Sequence, residues 1–102
     1  MAAMIIVAGT VRLDPGKLDA ARGEMKKMLG ASRAEDGCLE YSYAVDVLDP
    51  GLVHVFEVWR DRAALDRHFQ TPHMAEWRRS FPAFGISDRK LKIYDVTGSA
   101  PI

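Results

Sequence analysis

Residues 4–8, MIIVA, are apolar without a break, and the apolar character returns at Val11. A strand with one wet face alternates, so an uninterrupted run predicts a first strand buried on both faces. After residue 14 the spacing changes. Leu18, Ala21, Met25, Met28, Leu29 and Ser32 recur at steps of three and four, which predicts a helix of about five turns. Asp14 suits its N-cap and Pro15 its first position, where a missing N–H costs nothing. Gly37 suits its end. From 38 to 47 the period is two: Leu39, Tyr41, Tyr43 and Val45 share one face, and Glu40, Ser42, Ala44 and Asp46 the other. The LDPG at 48–51 reads as a turn into a third strand over 52–59. Along that strand Val53, Val55, Glu57 and Trp59 alternate with His54, Phe56 and Val58.

The stretch RDRAALDRHFQ opens a second helix capped by Asp61, with Leu65, His68 and Phe69 inward. Thr71-Pro72 interrupts and restarts it, and Pro82 and Gly85 close the helical region. Residues 90–96 supply a fourth strand, and 97–102 a loop or arm. The order strand, helix, strand, strand, helix, strand predicts an α+β, ferredoxin-like βαββαβ domain. Its antiparallel sheet has four strands, with both helices on one face. One domain spans 1–102, with its core in 4–96, and no repeat or linker divides it.

Two helices cover one face only, yet the first and third strands carry apolar groups on both. A second copy of the same sheet is the cheapest cover, which predicts a homodimer through the sheet face. Such an interface would bury about 1,600 Å² or more.

Composition narrows the partners. The 102 residues hold 14 basic and 14 acidic side chains, for a net charge of zero. That argues against a nucleic-acid surface, and Arg78-Arg79 reads as a solvated helix face. The N-terminal MAAMIIVAG is too short for a membrane span and lacks the basic start of an export signal, so no membrane partner is expected. The lone Cys38 excludes an internal disulfide and a cysteine zinc cage, and fits a reducing cytoplasm. It follows Gly37 with no histidine near it in sequence, and reads as a small buried hydrophobe rather than a nucleophile.

Candidate chemistry gathers in HFQTPHMAEW, residues 68–77. His68 and His73 stand five apart, about 140° around a continuous helix, where paired ligands want three or four. With His54 distant in the chain and no third ligand signalled, no metal site is expected. No Gly-rich phosphate loop and no G-x-S-x-G elbow occurs. An aromatic pocket between helices and sheet is the better reading. Phe69, Met74, Trp77, Phe81 and Phe84 come from the helical side, and Tyr41, Tyr43 and Trp59 from the strands. Each of these side chains also has an ordinary place in a core, and Glu57 is either a buried partner or a sheet-surface charge.

The segment from Glu35 to Trp77 resembles the antibiotic biosynthesis monooxygenase domain, the family of small quinol and anthrone oxygenases. The resemblance rests on E-x-G-C-L-x-Y at 35–41, D-x-x-D-P at 46–50, E-x-W at 57–59 and L-x-x-H-x-x-T-x-H at 65–73. It implies a dimeric α+β barrel that oxygenates electron-rich aromatic phenols with O₂ and no cofactor. The substrate itself would reduce oxygen once a base has taken its proton. His68 or His73 is then expected as base or donor, with Trp59 as wall and donor. Tyr41, Tyr43, Phe56, Phe69, Met74, Trp77 and Phe81 are expected around the substrate. Haem-degrading relatives use an asparagine, and this chain has none, which disfavours that chemistry. Two other readings stay open: a non-catalytic small-molecule-binding or stress-response dimer, and an isomerase of a small phosphorylated signal.

Overall fold

Asp14 marks the point where strand gives way to helix, because its carboxylate accepts the backbone N–H of Gly16 at 2.9 Å. A computed structural model describes residues 4–102, so residues 1–3 of the N-terminal apolar run lie outside the described residues. Strand β1 is Met4–Arg12, followed by a single 3₁₀ turn, Pro15–Lys17, and helix α1, Leu18–Arg33. Strands β2, Cys38–Val45, and β3, Leu52–Trp59, form the central hairpin. Helices α2, Arg62–Phe69, α3, Pro72–Arg79, and α4, Phe81–Phe84, lead into β4, Ser87–Val96. The sheet runs β2-β3-β1-β4 with every neighbouring pair antiparallel. This is the expected ferredoxin-like α+β arrangement.

Register decides which side chains meet the helices. Ile5 pairs with Trp59, Val7 with Glu57 and Val11 with Val53, so these six share the helix-covered face. All six are buried there with Tyr41 and Val55, against Ala21, Met25, Met28, Leu65, Met74 and Trp77. Each large apolar side chain so buried contributes about 1.5–3 kcal/mol. Asp61 caps α2 by accepting the Ala64 N–H at 2.8 Å. Thr71 joins α2 to α3: its hydroxyl donates to the His68 carbonyl at 2.8 Å and accepts the Met74 N–H at 3.4 Å. Gly9 is held at φ 152°, and a Cβ there would lie 1.9 Å from the Lys90 carbonyl oxygen. The close approach of β4 therefore requires glycine.

Several boundaries differ from the pattern-based reading. Helix α1 ends at Arg33, before Gly37, which instead accepts the Arg60 N–H on its carbonyl at 2.8 Å in the loop. Strand β2 stops at Val45, and Val47 is 97% exposed. A bulge between Cys38 and Glu40 leaves Leu39 without a strand partner and 54% exposed, so it does not share the inner face of Tyr41. Strand β4 begins earlier, at Ser87, across a register shift opposite Thr10 and Arg12.

Among the described residues, no helix covers the other sheet face. In β1, Ile5 and Val7 are buried while Ile6 and Ala8 are only half-buried, so one protomer does not bury that strand on both sides. Phe56 and Tyr94 stand 40% and 47% exposed on the same open face. No described helix is long and apolar enough to cross a membrane.

Candidate functional site

Period two in β2 and β3 sends Tyr41, Tyr43 and Glu57 towards the helices, and the register sets Tyr41 directly opposite Glu57. Helices α2 and α3 do not fill the space above them. A cavity of about 310 Å³ remains, walled by Val7, Tyr41, Tyr43, Glu57, His68, Phe69 and Met74. Arg78, Arg89, Leu91, Lys92 and Ile93 complete its boundary. A volume of this order suits a small organic ligand.

Glu57 is the chemically unusual group in this wall. It is 5% exposed, and the Trp59 Nε1–H donates to its Oε1 at 3.0 Å. Burial pushes its carboxyl up to about 7, against the Trp59 hydrogen bond, which pulls it down. It therefore exchanges its proton near neutrality, as a general acid or base must. The two phenols behave differently. Burial lifts Tyr41 far above the ordinary phenol range and Tyr43 to about 12, so both remain O–H donors at neutral pH. Burial also lowers His68, opposed by the nearby Glu35.

Glu35 sits in the loop after α1 and joins the two histidines. Its Oε2 is 2.6 Å from His68 Nδ1 and 2.8 Å from His73 Nε2. With His68 donating from Nδ1, its Nε2 is free to accept the Tyr41 hydroxyl proton at 3.3 Å. The Thr71-Pro72 break makes this convergence possible, since a straight helix would splay positions 68 and 73 apart.

Not every expected site residue reaches the cavity. His68, Tyr41, Tyr43, Phe69 and Met74 do. Trp59 has no exposed surface and stands behind the cavity wall, hydrogen-bonded to Glu57 and packed against His68 and Tyr41. His73 faces the crevice beside Glu24, Lys27 and Glu76 instead. Trp77 is core, with Phe81 packed edge-on at 5.5 Å. Phe56 belongs to the opposite face, because strand alternation sets it against Glu57. His54 pairs with Asp46 at 2.8 Å, remote from the other histidines. The burial of Cys38 pushes its thiol up to about 11, in keeping with an inert side chain. Sequence reasoning had left Glu35 and the titration of Glu57 unread. The acid two residues before Gly37 and the E-x-W step are their only signals.

A larger hollow of about 560 Å³ lies between α1 and the β2 edge, sharing Tyr43 with the first. Its lining holds no carboxyl or imidazole, whereas Glu57 and His68 both line the smaller cavity.

The profile of the antibiotic biosynthesis monooxygenase family matches residues 4–80, three of the four strands and most of the helical layer. The chain belongs to the antibiotic biosynthesis monooxygenase family. An uncharacterised protein of Synechocystis is 37% identical over 92 residues, 90% of this chain and 63% of its own length. A Mycobacterium tuberculosis protein named "Putative monooxygenase" is 38% identical over 64 residues, 63% of this chain and 62% of its own. The chain thus spans less than two thirds of the length of either relative. A solved Pseudomonas aeruginosa structure shares 33% identity over 98% of this chain and 97% of its own, with a TM-score of 0.75.

Proposed function

We propose that this family member is a monooxygenase of electron-rich phenolic aromatics, of quinol or anthrone type, acting in a reducing cytoplasm with O₂ and without an organic cofactor. The observation that carries the reading is a carboxyl balanced near neutrality in a cavity walled largely by aromatic and aliphatic groups, with His68 in the wall and cationic side chains at the boundary.

Glu57 takes the phenolic or benzylic proton, in place of the base role expected of the histidines. His73 does not line the cavity, and burial disfavours the charged form of His68. The resulting anion passes an electron to O₂, and the two radicals join as a peroxide. Tyr43 donates to the developing oxyanion, and Arg78 and Arg89 supply positive potential at the rim. For an anthrone the methylene loses two hydrogens and gains one oxygen, while the second oxygen leaves as water. The substrate supplies all four electrons, so no further reductant enters.

A second copy of the chain completes the assembly in this reading. Ile6, Ala8, Phe56 and Tyr94 leave an apolar surface on the open sheet face, which a two-fold partner would cover.

Oxygen uptake with anthrones and hydroquinones tests the proposal. Uptake above the buffer rate that falls at least tenfold in Glu57→Gln supports it. Uptake equal to buffer across the panel, with ligands still bound, would make the protein a binding module. The two guanidiniums at the boundary also suit a phosphorylated ligand, and turnover of a phosphorylated ketose without oxygen would replace oxygenation with isomerisation.

A further inference from the structure

Glu35, His68 and His73 come from three separate places: the loop after α1, the last turn of α2 and the first turn of α3. The proposed proton transfer uses neither Glu35 nor His73, yet the three converge closely. One ligand atom from each lies within 4.8 Å of the others, with Glu35 Oε2 reached by both imidazoles. We propose that this trio is a binding site for a first-row divalent cation, for which zinc is the representative.

The donor set selects the class of ion. Two imidazole nitrogens and one carboxylate suit zinc and its neighbours, whereas magnesium and calcium prefer oxygen alone. Zinc bonds of about 2.0–2.1 Å set tetrahedral neighbours about 3.3 Å apart. The present 2.6 and 2.8 Å separations are those of N–H donors on one oxygen. A cation takes the place of those two protons, which pass to the opposite ring nitrogens as each imidazole changes tautomer. The two imidazole–carboxylate separations need to open by less than about 1 Å to admit it.

The surroundings meet the other requirements of such a site. His68 Nε2 faces the Tyr41 hydroxyl at 3.3 Å, so with Nδ1 on a metal its remaining N–H has an acceptor. The side chains of His73 and Glu35 retain 20% and 13% exposure, which leaves an entry path and a fourth position for water. The bound ion would pin the loop after α1 to both helices and fix the His68 ring in the cavity wall. The inference does not depend on the oxygenase reading.

The test uses untagged, metal-stripped protein titrated with zinc chloride by calorimetry, with thermal melts in parallel. One zinc per chain is expected, raising Tm by about 5 °C or more at a hundredfold excess over Kd. Glu35→Gln and His73→Ala should each weaken binding at least about tenfold, while His54→Ala leaves it unchanged. His73 is the most exposed of the three ligands, so His73→Ala reports even if Glu35→Gln folds poorly. No zinc binding in the parent, or binding retained in His73→Ala and lost in His54→Ala, overturns the proposal. In either case the trio would be a hydrogen-bonded clamp only.

Discussion

Glutamine in place of Glu57 keeps the shape of the side chain and an oxygen for the Trp59 Nε1–H, while removing the proton equilibrium. The consequence follows from the titration. An unfolded glutamate titrates near 4.5, and the buried one at about 7. Between those pH values the folded chain holds a proton that the unfolded chain has released. Stability therefore falls as pH rises through this window and stays low above it. At about 1.4 kcal/mol per tenfold, the cost of carrying the ionised carboxyl above pH 7 is about 3 kcal/mol. Below pH 4.5 both states are protonated and the cost vanishes. Urea unfolding of the parent and Glu57→Gln from pH 4.5 to 9 reads the difference directly. The variant should match the parent at pH 4.5, gain steadily to pH 7, and lead by about 3 kcal/mol at pH 8. Two curves that run parallel over the whole range would refute the reasoning, since an exposed or fully paired carboxylate gives no such divergence.

Three further outcomes are expected. Trp59→Phe removes the hydrogen bond that holds the Glu57 carboxyl down, so the midpoint of that stability difference should move above 7 while the fold loses about 2 kcal/mol. Gly9→Ala drives a methyl into the backbone of β4 at a φ that alanine avoids, and should cost more than about 2 kcal/mol by denaturant titration. Phe56→Asp places a charge on the open sheet face, and sedimentation should find a folded monomer where the proposed dimer is expected for the parent, with the helix-side cavity untouched.

Much of the fold was readable because local chemistry and global packing agree along this chain. Alternation placed Tyr41, Tyr43 and Glu57 together, and the capping residues Asp14, Asp61 and Thr71 fixed where helical segments begin. Phe56 was misplaced in the pocket although the same alternation puts it on the far side. Leu39 was misread because a bulge inserts one residue, and period-two reasoning has no means of seeing an unpaired position. The Glu35–His68–His73 convergence lies beyond any spacing rule, since it depends on how far Pro72 turns α3 and on a loop 33 residues before His68. The near-neutral Glu57 is likewise a product of burial, which only the packed structure supplies.

Isotope tracing offers the most direct test of the chemistry. The parent protein and Glu57→Gln are each given an anthrone under ¹⁸O₂ in ordinary water, and the quinone product is weighed against a buffer control. The account predicts one ¹⁸O atom per product, the other appearing as labelled water, at a rate at least tenfold higher with the parent than with the variant. Label that appears at the buffer rate, or equally with Glu57→Gln, would contradict it.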